Sequence, residues 1–375
     1  MDPFRDWSGL PREMLEALVK HLLSIEDFMA FRGVCASWRD AATEDKFVNS
    51  SSRIPLLMLA DKKDSDQREF YSLSKNKINM TSSLPEAKGK RCMEAGFGWV
   101  LTVSSSGELN LLKPLTRSQI QLPSCTTFPD NQDTDFSDFL FIQRVALSAN
   151  PSHASSFVLM VIHEWGQFLG FWRPGDLTWT SIEPGIHHFG DVRFYNGIFY
   201  AVDRHGDVWA WDESSSKLKC VFGTNPRSFI NRDAYLVESS SGKLLTITRD
   251  GVLLNEEDDQ SYGVNNFKVI QLDVTKCEWE EITCLGNDAI FVGHSSAVAI
   301  VASAFPDVIK SNCIYFTDDC WEAYTYREML GRGGGRLGLG GGEDMGIYHL
   351  EDGSIERFSN IESVSFISPP VWISF

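Results

Sequence analysis

From Ile54 onward, short runs of apolar, β-branched and aromatic residues alternate with clusters of Gly, Ser, Asn and Asp. This alternation is typical of many short antiparallel strands joined by tight turns. The runs fall into six successive sets, and each set has the length of a four-stranded propeller blade, about forty to sixty residues. The fourth set shows all four strands, at 192–195, 197–202, 207–211 and 217–222. Six sets of this kind predict a closed ring, because a set that cannot bury both faces alone stacks on its neighbours.

The two ends of this region complement each other. The first set, at 54–82, lacks one strand, whereas the segment 369–375 offers an apolar strand at the far end. We therefore predict that the terminal strand joins the first blade and closes the ring. The predicted fold of residues 51–375 is an all-β propeller that binds a substrate, with a Gly-rich insertion at 331–342.

Residues 10–47 carry a different pattern, which predicts three short helices. Pro11 favours a helix beginning there, because the N–H that proline lacks would be unpaired in the first turn. Apolar residues at three- and four-residue spacing then mark one side of this helix: Met14, Leu15, Leu18, Val19, Leu22 and Leu23. Ser24 followed by Asp27 resembles a capping box, so a second helix is expected from Ile25 to about Arg32.

A third helix is expected to follow Gly33 and to stop by Phe47. Its inward residues are predicted to be Val34, Cys35, Trp38, Ala41 and Ala42. Three helices of this size bury too little apolar surface to be stable alone. Part of the apolar surface is therefore expected to pack on a partner.

These helices resemble the F-box, the helical motif that connects a substrate receptor to a cullin-RING ubiquitin ligase through a Skp-type adaptor. The residues that carry the resemblance are Leu10, Pro11, Leu15, Leu18, Leu22, Phe28, Phe31, Arg32, Val34, Cys35, Trp38 and Arg39. The resemblance implies a small all-α F-box at 5–50 that binds the adaptor and, through it, cullin. The implied adaptor-binding residues are Leu10, Pro11, Met14, Leu15, Leu18, Val34, Cys35, Trp38 and Arg39. The alternative is a small helical cap packed on the body of the same protein.

The body resembles the kelch-like carboxy-terminal domain of a large group of plant F-box proteins. The matching phrases lie at 194–202, 312–319 and 369–372. This second resemblance implies a substrate receptor, but it names no substrate.

Composition narrows the range of partners and compartments. Lys and Arg total 34 and Asp and Glu total 51, so the net charge is −17, which argues against a generic nucleic-acid or anionic-membrane surface. No apolar run begins the sequence and no stretch approaches the length of a membrane span, so we expect neither secretion nor a transmembrane segment. The expected location is the cytoplasm, the nucleus or both, with the eight cysteines reduced.

Two motifs formally match catalytic or nucleotide-binding patterns. Gly333, Gly335 and Gly338 fit a dinucleotide fingerprint, but no strand-turn-helix unit surrounds them, so we interpret the segment as a loop. Ser295 sits in a sequence like that of a hydrolase nucleophile elbow. Because β-branched residues follow it rather than a helix, a hairpin turn is the better interpretation.

Four cysteines in the last third of the chain invite a metal interpretation: Cys277, Cys284, Cys313 and Cys320. Their spacing is wider than that of structural zinc sites, and apolar strand residues flank them. We interpret them as buried small hydrophobic residues and expect neither a metal nor another cofactor.

The leading hypothesis is a non-catalytic substrate receptor of an SCF-type ubiquitin ligase, which binds an unidentified target protein. One alternative is an F-box scaffold or regulatory binding protein that acts outside a ligase. A second alternative is a small-ligand binder or enzyme, which predicts a cluster of acidic or histidine residues in the central channel.

Overall fold

The structure is a computed structural model of the 375-residue chain. It describes residues 7–22, 25–43, 46–47, 53–62, 65–129, 141–164, 166–182, 187–213, 217–223, 233–250, 263–294, 296–319, 342, 344–358, 361, 363–365 and 367–374. The predicted Ser24 cap, Ser295, Cys320 and the glycines at 331–341 lie outside these residues.

Three short helices begin the described chain, as predicted. A 3-10 turn at Trp7–Gly9 precedes α1 (Arg12–Lys20), α2 (Ile25–Gly33) and α3 (Ala36–Ala41). Pro11 occupies the N-cap of α1, and its carbonyl accepts hydrogen bonds from the N–H groups of Met14 and Leu15. The proline therefore initiates the helix at the expected place.

The described strands form six sheets, which are the blades of a propeller. Blade one contains β1 (Leu56–Met58), β2 (Gln67–Ser72) and β3 (Lys77–Ser83). Blade two contains β4 (Arg91–Gly96), β5 (Trp99–Val103), β6 (Leu109–Lys113) and β7 (Ser118–Gln121). Blade three contains β8 (Ile142–Leu147), β9 (Leu159–His163), β10 (Phe168–Trp172) and β11 (Thr180–Ile182).

The later blades follow the same chain order. Blade four contains β12 (Phe189–Tyr195), β13 (Ile198–Asp203), β14 (Val208–Asp212) and β15 (Lys217–Phe222). Blade five contains β16 (Asp233–Glu238), β17 (Leu244–Asp250), β18 (Asn266–Asp273) and β19 (Glu278–Ile282). Blade six contains β20 (Asp288–Gly293), β21 (Ser296–Val301), β22 (Cys313–Phe316), β23 (Gly346–His349) and β24 (Ile355–Arg357).

The last strand, β25 (Val371–Ile373), completes the first blade. It pairs antiparallel with β1, with Leu57 opposite Trp372. The strands β4, β8, β12, β16, β21 and β25 contact one another in turn around the axis. The six-bladed ring and its closure by the terminal strand are therefore confirmed.

Blade six departs from the predicted pattern. Its five strands are ordered β21-β20-β22-β23-β24, and β20 and β22 run parallel. A tight turn separates β23 from β24. The N–H of Gly353, at φ 72°, donates to the His349 carbonyl, and the N–H of His349 donates to the Ser354 carbonyl. The chain therefore reverses and β24 pairs beside β23.

The helices and the propeller share one hydrophobic core. Buried helical residues in this core include Leu15, Val19, Ile25, Phe28, Phe31 and Phe47, and buried propeller residues include Leu56, Phe70, Leu84, Cys92, Val100 and Leu112. Arg53 strengthens the junction, because its guanidinium lies 4.3 Å from the centre of the Phe47 ring and donates to the Phe47 carbonyl. The inner side of the helices is thus covered by blades one and two.

Candidate functional site

Helix α1 has apolar residues on two sides. Leu15 and Val19 are buried, at 1% and 0% exposure, and belong to the shared core. Met14 and Leu18 are 54% and 44% exposed. Residues four apart on a helix are neighbours on its surface, so these two side chains form an apolar pair that faces solvent. An exposed apolar surface on a small module is typical of an interaction site.

Val34 and Pro11 add to the exposed apolar surface of the module. Val34 is 54% exposed, so its predicted inward orientation is wrong. It lies between α2 and α3, where the chain leaves the helix, and its N–H donates to the Phe31 carbonyl. We call Pro11, Met14, Leu18 and Val34 the outer apolar residues.

Trp38 holds the beginning of the described chain against α3. Its ring lies 4.4 Å from that of Phe31, and its indole N–H donates to the Trp7 carbonyl at 2.9 Å. The Ser37 hydroxyl also donates to the Ser8 carbonyl at 3.1 Å. These bonds place Trp7, which is 57% exposed, on the outside of the module. Trp7 was not among the predicted contacts, although an aromatic residue in an otherwise polar segment marks it.

The structure divides the nine predicted adaptor-binding residues by exposure. Five of them are exposed: Pro11, Met14, Leu18, Val34 and Arg39. Three are partly buried, Leu10, Cys35 and Trp38, and one, Leu15, is buried. Arg39 donates from Nε to the Arg32 carbonyl at 3.3 Å. Leu15 therefore serves the core, and the exposed residues remain accessible to a partner.

A second candidate site lies in the propeller, where buried charged side chains from different blades meet. Arg91 of blade two donates to the Ile142 carbonyl at 2.9 Å and to the ring of His294. Arg144 of blade three lies 3.4 Å from the other ring nitrogen of His294. Burial, together with these two guanidinium groups, lowers the pKa of His294 well below its usual value, so the ring is neutral.

Acidic residues continue this network. Arg144 lies 3.9 Å from Asp191 and 3.7 Å from Asp319. The carboxylate of Asp191 accepts the N–H groups of Val192 and Leu236 at 2.9 and 2.7 Å. Burial raises the pKa of Asp191 to about 6, against the opposing effect of Arg144. Blades three, four, five and six are connected at this point.

Arg249 of blade five completes the network. It forms ion pairs of 2.5 Å with both Asp319 and Asp344, and it donates to the Thr317 carbonyl at 2.8 Å. Burial opposes its charge, but the facing carboxylates, Asp319 foremost, raise the pKa of Arg249 above its usual value. The Tyr235 hydroxyl donates to Asp319 as well.

The network matches the central cluster that the enzyme hypothesis predicts, but its carboxylates are already engaged. Asp191, Asp319 and Asp344 accept hydrogen bonds from the backbone, from tyrosine or from arginine. Across the described residues, no three His, Cys, Asp or Glu side chains are grouped so as to hold a metal ion. These buried ion pairs join neighbouring blades, which is a structural role.

In blade six, a histidine side chain lies between a cysteine and a glutamate. The Sγ atom of Cys313 lies 3.4 Å from Nδ1 of His349, and Nε2 of His349 lies 3.7 Å from Glu356. Cysteine hydrolases order their groups in this way. Burial, however, raises the pKa of the Cys313 thiol to about 11, so the thiol is protonated at neutral pH and is a weak nucleophile.

The prediction that the four late cysteines are buried holds for Cys313 and is wrong for two others. Cys277 and Cys284 are exposed. Cys277 lies in the turn between β18 and β19 at φ 56°, and Cys284 follows β19, which is the outermost strand of its blade. Apolar neighbours in sequence did not bury them, because turn and edge positions project into solvent.

Comparisons with known proteins agree with this architecture. The sequence profile of the KIB1-4 β-propeller family matches residues 70–349. The F-box protein SKIP23 of Arabidopsis thaliana is 26% identical over 417 residues, which cover 98% of this chain and 96% of that protein. The F-box/kelch-repeat protein At1g57790 of the same plant is 25% identical over 380 residues, with 97% and 95% covered.

Both similarities extend across the helices as well as the propeller, so the predicted resemblance to plant F-box proteins with a propeller domain is confirmed. Within the part of the chain that the structure describes, every helix is too short or too polar to cross a bilayer. The chain belongs to the KIB1-4 β-propeller family, and its relatives are F-box proteins of plants.

Proposed function

We propose that this chain is the substrate-recognition subunit of an SCF-type ubiquitin ligase. Its helices bind a Skp-type adaptor, the adaptor brings cullin, and the propeller binds the target protein. The observation that carries the proposal is the exposure of the outer apolar residues on helices whose inner side is already covered. A helical cap that served only its own propeller would have no use for this second apolar side.

The energetics favour a partner on this surface. Fully burying an exposed side chain of this size contributes about 1.5–3 kcal/mol, and Met14 and Leu18, at 54% and 44% exposure, would each gain about half of that on a partner. These residues sit on α1, whose opposite side is fixed by Leu15 and Val19 in the shared core. A rigid helix presents its apolar anchors without a large ordering cost, which is the helix-in-groove mode of recognition.

The shared core also bears on what the chain contributes to ubiquitin transfer. Because the helices pack on blades one and two, a target on the propeller is held in a fixed orientation to the adaptor. Holding two reactants together converts a rare encounter into an effectively intramolecular one. The transfer chemistry itself then belongs to other subunits of the ligase.

The test is co-purification of adaptor and cullin with the wild-type chain and with a Met14→Asp/Leu18→Asp variant. Both substituted side chains are exposed, so the fold should survive while adaptor binding is lost. Leu177→Asp is the matched control, because Leu177 is 88% exposed on blade three, away from the helices. The control should retain both partners.

Each outcome of this experiment assigns a role. Adaptor and cullin captured by the wild type and by the control, and lost in the double variant, support a ligase receptor. Adaptor without cullin supports the scaffold alternative. If the wild type captured neither adaptor nor cullin, the helices would be a cap that serves only the propeller.

A further inference from the structure

Two tryptophans occupy the same position in different blades but have different surroundings. Trp179 precedes the outermost strand of blade three, is 1% exposed, and stacks at 4.7 Å on Phe128. Its indole N–H donates to the Pro123 carbonyl. Trp279, at the corresponding position of blade five, is 43% exposed. Blade five thus leaves open an aromatic surface that blade three covers.

Trp279 lies on β19, which pairs with β18 on one side and forms the outer edge of its sheet. Side chains alternate along a strand, so Glu278 and Glu280 share one face and Trp279 points to the other. Both glutamates are exposed, and among the described residues neither has an ion-pair partner. A surface concavity of about 590 Å³ lies along this hairpin and is lined by these three residues with Gln271, Asp273, Lys276 and Cys277, and Lys276 is paired with Asp273 at 3.5 Å.

We infer that β19 is the edge on which an extended segment of the target protein docks, with basic, apolar and basic residues in alternation. The inference rests on the proposed receptor function and specifies the chemistry of the target. The basic residues would lie opposite Glu278 and Glu280. The apolar residue would lie opposite Trp279.

Strand addition suits this edge for three physical reasons. The outer edge of β19, which pairs with no further described strand, offers main-chain hydrogen bonds that provide affinity, while alternating side chains provide specificity. The net charge of −17 favours a basic partner and its approach. The ring also tolerates a fifth strand, since blade six already contains five.

The experiment uses the full-length chain and two fluorescein-labelled, end-capped peptides, KVKVKVK and KKKKVVV. The peptides have equal charge and composition, but only the first alternates. Fluorescence anisotropy should show that the wild type binds the alternating peptide more tightly. Trp279→Ala and Glu278→Lys/Glu280→Lys should each weaken that binding by about tenfold or more, the effect expected for an aromatic anchor or two charge pairs.

The control variant is Asp40→Lys/Glu108→Lys, which makes the same charge change at exposed sites on α3 and in the β5–β6 turn of blade two, not on blade five. It should bind the alternating peptide within about twofold of the wild type, because distant surface charges are screened. Equal affinity for the two peptides, equal loss in the control, no binding, or full binding by Trp279→Ala would each overturn the inference.

Adaptor capture by the same preparations separates this inference from the proposed function. Adaptor binding without a preference for the alternating peptide overturns the docking edge alone. A preference for that peptide without adaptor binding overturns the ligase role and leaves β19 as a binding edge.

Discussion

The hydroxyl of Ser374, directly after β25, donates a hydrogen bond to the carboxylate of Glu94 on β4. The bond joins the strand that closes blade one to the innermost strand of blade two. Glu94 is 6% exposed, and burial raises its pKa to about 7 despite the bond from Ser374. The seam of the ring therefore contains a carboxyl group that ionises near neutral pH.

Glu94→Gln should stabilise the protein at alkaline pH and have little effect in acid. The unfolded carboxyl ionises near 4.5 and the folded one near 7, so the stability that protonated Glu94 confers is lost as the pH rises through this range. The loss amounts to about 3 kcal/mol. Denaturation midpoints of both proteins from pH 4 to 9 measure it, and parallel curves would contradict the assignment.

Trp372→Ala should destabilise the ring strongly. Trp372 on β25 is 0% exposed, and its ring meets that of Phe291 edge to face at 5.0 Å. Removing a buried aromatic side chain costs about 3–5 kcal/mol. Trp279→Ala, at a 43% exposed site, is the control and should cost less than about 1 kcal/mol. Equal unfolding midpoints for the two variants would show that β25 does not hold the ring closed.

His163→Leu should make the protein less sensitive to acid. His163 is fully buried, with its ring 4.3 Å from that of Phe128, and burial lowers its pKa from 6.5 to about 3. Below pH 6.5 the unfolded chain therefore binds a proton at this histidine that the folded chain does not bind. The free energy of unfolding decreases as the pH is lowered. Between pH 6.5 and 5 the wild type should lose about 2 kcal/mol relative to the variant. Urea denaturation at both pH values checks this, and an equal loss in both proteins would assign the acid sensitivity elsewhere.

Arg249→Ala should be far more damaging than Arg173→Ala. Removing Arg249 takes away the cation that pairs with both buried carboxylates at 2.5 Å and leaves Arg144 at 3.7 Å from Asp319 and Arg357 beside Asp344, a change that costs about 3–5 kcal/mol. Arg173 pairs with Glu213 at 2.8 Å on the surface, where an ion pair contributes less than about 1 kcal/mol. Thermal unfolding of the two variants distinguishes these values. A small effect of Arg249→Ala would mean that the blades do not depend on this network.

The sequence predicted those features that local periodicity determines. Pro11 with the leucine spacing predicted α1, and the alternation of apolar runs with turn residues predicted six blades and the closing strand. The orientation of Val34 was missed, because it depends on where one helix ends and the next begins. The parallel strands of blade six were missed because strand order in a sheet does not follow from strand order in a chain.

The charged network was beyond prediction for a similar reason. Arg91, Arg144, Asp191, Arg249 and Asp319 are separated by dozens of residues, and only closure of the ring brings them together. The exposure of Trp279 could not be predicted from the sequence either. Trp179 and Trp279 occupy equivalent places, but Phe128 and Pro123 cover the first, and nothing in either local sequence reports that cover.

The position of β25 has a consequence for biosynthesis. This strand follows every other described strand, so the first blade stays incomplete on the ribosome until residues 371–373 have emerged. The helices, by contrast, are translated before the propeller strands. A chain that stopped before β25 would carry Met14 and Leu18 but an open ring, and if these residues bind the adaptor, it would occupy the adaptor without delivering a target. A chain truncated before β25 is therefore expected to interfere with the full-length protein as well as to be inactive itself.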